Sequence, residues 1–282
     1  MRYLIVGKNG QLGREFVRIL QKTDADFVAL GHKELDIGNI HQTLSIFEEI
    51  KPQVIINCAA YNLVDKAETD YSTAYRTNAV GIKNLAYASR IHKAFIVHYS
   101  TDYIFDGKKE EGLYTEEDTP VPINEYAKSK YVGEIYLQEE TDNYLLFRVS
   151  WVFGDGEQNF IYKLLKWAEQ NPYLKISYDE ISVPTYTEVI AGLTLKAIDQ
   201  KLTGLYHLTN TGYCSRFELA KFVFNTLGID KFIYPVSAES FNLPAQRPKF
   251  SAMDNSKLSK ALNVKIPTWE ESVEKFLKNY RT

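Results

Sequence analysis

Residues 6–13, VGKNGQLG, decide how this chain folds. Gly7, Gly10 and Gly13 stand three apart between an apolar run, RYLIV, and a segment in which Leu12, Phe16, Ile19 and Leu20 recur at i, i+4, i+7 and i+8. The run reads as a strand and the recurrence as one apolar face of a helix. Glycine at these places lets the backbone turn tightly, approach a pyrophosphate and seat the helix on the strand. The helix N-terminus adds N–H donors and the positive end of its dipole. A glycine turn with no ligand is the plain alternative, but its place after the first strand of a βαβ pattern favours a dinucleotide.

Outward from that turn, β-like runs alternate with helical patterns through the first 150 residues. In order they are RYLIV, a helix near 11–22, DFVAL, a helix near 40–50, VIINCAA, a helix near 72–92, AFIVHYS, a helix near 124–139 and YLLFRVS. The alternation predicts an α/β fold with a doubly wound parallel sheet of the Rossmann type. After Gly154 it weakens, with helices expected near 158–170, 187–199, 215–227 and 268–280 between proline-bearing stretches such as SVPT and FNLPAQRPKF. Residues 1–153 are therefore read as an NAD(P)-binding domain and 154–282 mainly as a smaller substrate-binding region, with segments near 185–205 returning to the first domain. The charged run DGKKEEGLYTEEDTP is expected to be a solvated loop beside the site, long enough to cover it.

Composition narrows the function classes. The chain of 282 residues is 45% hydrophobic, and its 33 basic and 36 acidic residues are mixed along the sequence to a net charge of -3. No basic face argues for nucleic acid or an anionic membrane, so a small-molecule partner is expected. No apolar run approaches the roughly 20 residues of a membrane span, and the short YLIV has no cleavage pattern, which places the protein in the cytoplasm. Cys58 and Cys214 are expected as reduced structural thiols.

The second strand ends near Gly31, where NAD-selective proteins hold an acidic side chain against the ribose 2'-hydroxyl. Here His32 and Lys33 follow, and Lys33 is a candidate partner for a 2'-phosphate. NADPH is the expected cofactor, and Glu34 and Asp36 nearby keep NADH use open.

Two Tyr-x-x-x-Lys pairs occur, about the number chance predicts for 20 tyrosines at this lysine content. Tyr162 and Lys166 lie opposite Phe160, Ile161, Leu164 and Leu165 on their helix and are read as surface residues. Tyr126 and Lys130 share a stripe with Gly133 and Leu137 and are expected to face inward. An ammonium one turn from the phenol is expected to lower its pKa from about 10 and make it a general acid. STDYIFDG, residues 100–107, places Thr101 at the C-terminal end of a parallel strand, where its hydroxyl can meet a substrate carbonyl.

With these motifs on view, the sequence resembles the extended short-chain dehydrogenases/reductases and, within them, the dTDP-4-dehydrorhamnose reductase family. The resemblance spans nearly the whole chain, on VGKNGQLGREF, LDI, VIINCAAYNLVDKAE, STDYIFDG, NEYAKSKYVGE, FRVSWVFG, NF, VPT, GLYHLTN and RPKFSAMDNSKL in the family's order. It implies a catalytic set of Thr101, Tyr126 and Lys130, with Lys130 also holding the nicotinamide ribose. It further implies that Gly7, Asn9, Gly10, Gln11 and Leu12 line the pyrophosphate, Asp36 and Ile37 the adenine side, and Ala59, Ala60 and Tyr61 the ribose and nicotinamide. Substrate contacts would come from Val64, Asp102, Tyr103, Trp151, Asn159 and Arg247, with Arg247 pairing the diphosphate. Glu15 matches a position that helps bind Mg2+ at a dimer interface in some members, but the full carboxylate set is missing, so no metal is assigned. The expected state is monomer or homodimer.

The implied reaction is NAD(P)H-dependent reduction of the 4-keto group of dTDP-4-dehydro-L-rhamnose to dTDP-L-rhamnose, a step toward cell-surface polysaccharide. Alternatives are a reductase or epimerase of another nucleotide-linked deoxy sugar, or a non-catalytic subunit similar to the regulatory subunit of methionine adenosyltransferase. Sugar-nucleotide dehydratases usually carry Thr-Asp-Glu where this chain has Thr101, Asp102 and Tyr103, which speaks against dehydration.

Overall fold

The computed structural model describes residues 1–280. Its first part runs β1 (Arg2–Val6), α1 (Gln11–Leu20), β2 (Asp26–Leu30), α2 (Ile40–Ile50), β3 (Val54–Asn57), α3 (Val64–Ala67), α4 (Tyr71–Tyr75), a π-turn (Arg76–Val80), α5 (Gly81–Ile91), β4 (Phe95–Thr101), α6 (Glu125–Glu140) and β5 (Tyr144–Val149). The second runs β6 (Val152–Phe153), α7 (Phe160–Gln170), β7 (Tyr173–Ser177), β8 (Ile181–Ser182), β9 (Thr185–Tyr186), α8 (Thr187–Asp199), β10 (Gly204–His207), β11 (Cys214–Ser215), α9 (Arg216–Leu227), β12 (Phe232–Val236), α10 (Ser256–Leu262) and α11 (Trp269–Tyr280).

Six parallel strands form the central sheet in the order β10-β5-β4-β3-β1-β2. Strand residues alternate between two cores, as period-2 geometry requires. Ile5, Val54, Ile56, Val97 and Phe147 pack with Phe16 of α1 and Ile190 and Ile198 of α8, while Leu4, Val6, Ile55, Ile96 and Leu146 pack with Phe47 of α2, Leu85 of α5 and Leu137 of α6. Helices thus cover both faces, and the fold is α/β with a doubly wound parallel sheet. The chain reverses direction across the sheet between β1 and β3, which opens a crevice at their C-terminal ends where such sheets take ligands.

The second part has its own core, in which Phe153, Leu164, Leu174, Val223 and Phe276 meet. Around it lie three two-stranded pairs, β7 with β12, β8 with β11 and β6 with β9. α8 and β10 belong instead to the first part, α8 against α1 and β10 beside β5.

Two local expectations differ from the structure. The helix expected over 72–92 carries a π-turn, from which the Asn78 amide bonds both the N–H and the carbonyl of Tyr61, at 2.8 and 3.0 Å, and Ser129 at 2.9 Å. A Cβ at Gly133 would lie 2.1 Å from the Asn78 carbonyl oxygen, so only glycine lets α6 come this close. The charged run 106–120 is also more than a solvated loop. Tyr114 is buried and stacks on Phe105 at 4.1 Å, Lys109 pairs with Asp118 at 2.6 Å, and Glu116 accepts the His207 N–H at 2.7 Å.

Candidate active site

Gly7 turns the chain out of β1 with φ +87, where a side chain would press a Cβ to 2.6 Å from the Ala59 nitrogen. Its N–H bonds Leu30 at the end of β2, and Gly10 caps α1. The first N–H groups of α1 are thereby left without helical partners and face the crevice. Gln11 donates to the Val152 carbonyl at 2.9 Å, while its own amide oxygen is buried with no partner. Leu12 is in the core, and Ala59 is held by Asn57 at 3.1 Å. This cradle has donors and an unmet acceptor for a dinucleotide.

At the tip of β2 the structure shifts attention from Lys33 to Lys8. Lys33 is exposed, whereas Lys8 Nζ meets Glu34 Oε1 at 2.5 Å. The other Glu34 oxygen accepts the Gly31 N–H at 2.6 Å, so the acid at this edge is turned onto its own loop and paired. The Asn9 amide lies against Gly31, Asp36 pairs with Arg76, and Ile37 is buried.

Tyr126 and Lys130 lie in the interior, 9% and 2% exposed. The Tyr126 hydroxyl faces Thr101, reaches Asn62 at 3.5 Å, and its ring meets Tyr103 edge-on at 6.2 Å. Lys130 Nζ donates to the Tyr99 carbonyl at 2.5 Å rather than pointing at the phenol. The expectation that it lowers the Tyr126 pKa is therefore corrected: burial pushes the phenol up, and the Thr101 bond is what pulls the other way. Burial brings Lys130 down to about 8, opposed by the negative charge of Glu134. Glu134, fully buried one turn further along α6, is held by Arg148 through Nε and a terminal nitrogen, the latter at 2.8 Å.

Asp102 departs most from its expected place. It is 2% exposed, and its carboxylate accepts from Thr101 at 3.2 Å, Ser150 at 3.1 Å, Ser182 at 2.7 Å and Ser251 at 2.5 Å. Burial raises its pKa, with Ser251 first among the hydroxyls opposing the rise. The carboxylate joins the end of β4 to β8 and to Ser251.

A cleft of about 1010 Å³ opens beside Tyr103, Asn62 and Val64 and extends between α7, β7 and the start of α9, past Trp151 and Arg247. Asn159 lines it but spends its amide capping α7, accepting from Tyr162 at 3.0 Å and donating to Gly154 and Gly156 at 2.9 Å. Of the rejected pair, Tyr162 is half-buried and Lys166 exposed.

Over residues 1–282 the chain matches the sequence model of the family described as RmlD substrate binding domain. The chain belongs to this family. It is 34% identical to a dTDP-4-dehydrorhamnose reductase of Aggregatibacter actinomycetemcomitans, covering 99% of this chain and 98% of that one. The crystal structure of a dTDP-4-dehydrorhamnose reductase of Clostridium acetobutylicum superposes with a TM-score of 0.96 at 37% identity over 100% of both chains. That of the Bacillus anthracis dTDP-4-dehydrorhamnose reductase, solved in complex with NADP, does so with 0.94 at 39% identity over 99% of both.

In this RmlD-family chain several residues around the site escape the sequence reading. Lys8 lies within the glycine turn and meets Glu34 only across β1 and β2. Asn78 acts from a π-turn that no periodicity marks. Glu134 left a signal, since it stands at i+8 from Tyr126 on the stripe expected to face inward. Arg216 left none, because an arginine opening an amphipathic helix looks like a solvated charge. Among the described residues no helix is long and apolar enough to cross a membrane, and no group of three or more His, Cys, Asp or Glu is placed to hold a metal. Glu15 is engaged by Arg18 at 2.6 Å.

Proposed function

We propose that this protein reduces the 4-keto group of dTDP-4-dehydro-L-rhamnose to give dTDP-L-rhamnose. The observation that carries the proposal is the buried set of Thr101, Tyr126 and Lys130, with a dinucleotide cradle on one side and a cleft suited to a nucleotide sugar on the other. Lys163, Lys175 and Arg216 line that cleft against a single carboxylate, Glu180, with Arg247 paired to Asp65, a balance that favours a diphosphate. Trp151 and Phe160 add apolar faces for a deoxy sugar and a base.

NADPH, when bound, supplies the hydride. Tyr126, kept protonated by burial, gives its proton to the emerging C4 alkoxide, and Thr101 orients the phenol. Lys130, its ammonium held on the Tyr99 carbonyl, would hold the nicotinamide ribose. Gly7, Asn9, Gly10, Gln11 and Leu12 seat the pyrophosphate, Ala59, Ala60 and Tyr61 flank the nicotinamide side, and Val64, Tyr103 and Trp151 shape the sugar pocket. The place of Asp102 supports reduction over dehydration, since an acid that must protonate a leaving hydroxyl cannot sit among four hydroxyls of the protein. The protein works in the cytoplasm, where its nucleotide-linked substrate and NADPH are found, in a pathway toward cell-surface polysaccharide.

Mixing the protein with dTDP-4-dehydro-L-rhamnose and NADPH is expected to lower the absorbance at 340 nm. No change would leave a binding subunit as the better account, and consumption only with other 4-keto sugars would move the substrate.

The edge of the cradle gives a second test. Lys8→Met leaves the Glu34 charge unpaired near the ribose 2'-position, so NADPH affinity is expected to fall about tenfold relative to NADH, the loss of roughly one charge-assisted contact. Fluorescence titration with both cofactors checks this. Equal losses for the two would return Lys8 to a purely structural part.

A further inference from the structure

We propose that Arg216, rather than Arg247, supplies the guanidinium that takes the diphosphate of the nucleotide sugar. The inference rests on reading the cleft as a nucleotide-sugar site.

Arg247 is already spent. One terminal nitrogen donates to Asp65 Oδ1 and to the Ala245 carbonyl, both at 2.9 Å, and the other donates to Asp65 Oδ2 at 2.7 Å. Its Nε faces Glu180 at 4.0 Å. These bonds tie the segment before Pro248 to α3, so the residue serves as a clasp between the two parts of the chain.

Arg216 is placed differently. It opens α9, whose start is fixed by a capping box between Ser215 and Glu218, and its backbone N–H bonds the Glu180 carbonyl at 3.3 Å. The guanidinium lies 3.5 Å from the centre of the Trp151 ring and 4.9 Å from that of Phe160. Its side chain is 19% exposed, and the nearest carboxylate oxygen, on Glu180, is 3.7 Å from Nε, outside hydrogen-bond range. Among the described residues none of its five N–H donors makes a hydrogen bond. A planar cation this far withdrawn from water with unused donors calls for acceptors, and a phosphate meets an arginine fork edge-on. Stacking on the indole occupies the flat face of the guanidinium and leaves that edge free.

Trp151 strengthens the assignment. Its φ of +39 lies in the left-handed region, which a bulky residue occupies only where its surroundings hold it there. The strained turn after β5 delivers the indole beneath Arg216, and the pair lines the same cleft as Tyr103. Lys163 and Lys175 are exposed and cannot offer a fixed fork.

Calorimetric titration with dTDP tests the proposal. The wild-type protein is expected to bind dTDP, Arg216→Met to weaken it roughly 10- to 100-fold, and NADPH affinity to stay within about twofold. Arg216→Lys is expected to recover only part of the loss, because an ammonium restores charge without the fork. In turnover, kcat should fall less than kcat/KM for the keto sugar. If Arg216→Met and Arg216→Lys both bind dTDP as the wild type does, the assignment is overturned, and a fall in kcat alone would make Arg216 a support for Trp151. If the wild type does not bind dTDP, the nucleotide-sugar reading fails and this assignment with it.

Discussion

Tyr126→Phe is expected to lose about 100- to 10,000-fold in turnover, the usual share of a general acid, while binding NADPH as before. The change removes one oxygen from a ring packed edge-on against Tyr103, so little else should move. The lost atom is the one that faces Thr101, and the carboxyl nearest to it, Asp102, is enclosed by hydroxyls and not placed to take its part. Steady-state turnover with the keto sugar, beside NADPH titration, checks the result. Turnover within a few-fold of wild type would remove Tyr126 from the reaction.

Glu134→Gln is expected to act on both stability and pH dependence. The substitution leaves the Arg148 guanidinium, 4% exposed and with one terminal nitrogen already without a partner, as an uncompensated buried charge. Breaking one side of such a pair costs about 3–5 kcal/mol. The second effect passes through Lys130. Around its ammonium stand the Tyr99 carbonyl, the Glu134 carboxylate and His98, which burial and Lys130 itself keep neutral. Lys130 loses its proton near 8, below its ordinary 10.5, so kcat/KM should be level below that pH and fall as pH rises through it. Removing the Glu134 charge lowers the Lys130 pKa further and moves the falling limb to lower pH. A denaturation curve and a pH–rate profile separate the two effects. A lower midpoint with an unmoved limb would mean that Glu134 only holds Arg148. The double variant Glu134→Gln/Arg148→Met, with no stranded guanidinium, should regain stability while keeping the displaced limb.

How much of this could be read from sequence follows from how far each signal reaches along the chain. The glycine turn, the strand and helix alternation and the inward stripe of α6 are local patterns, and they carry the fold class and the burial of Tyr126 and Lys130. β10 was missed as a strand because it has four residues, opens on Gly204 at φ +93, and gains its place only by pairing with β5. Charge was the least legible property. Lys33 can be read as a cation at the end of β2 because it follows that strand, whereas the Lys8–Glu34 pair beside it forms only across two strands and leaves no local pattern. Asp102 resembled a substrate contact by its neighbour Thr101, but its four hydroxyl partners include Ser182 and Ser251, far along the chain. Arg247 and Arg216 look alike in sequence, and only their partners, Asp65 for one and the Trp151 ring for the other, tell them apart.

The central claim is that this site adds hydride to C4 of the nucleotide-linked sugar and a proton to the C4 oxygen. NADPH deuterated on the transferred position, incubated with the protein and dTDP-4-dehydro-L-rhamnose, tests it most directly through the NMR spectrum of the product. The account predicts dTDP-L-rhamnose with one deuterium at C4 for each NADPH consumed, and far slower labelling with Tyr126→Phe. Deuterium at another carbon, or unchanged keto sugar after incubation with active cofactor, would contradict it.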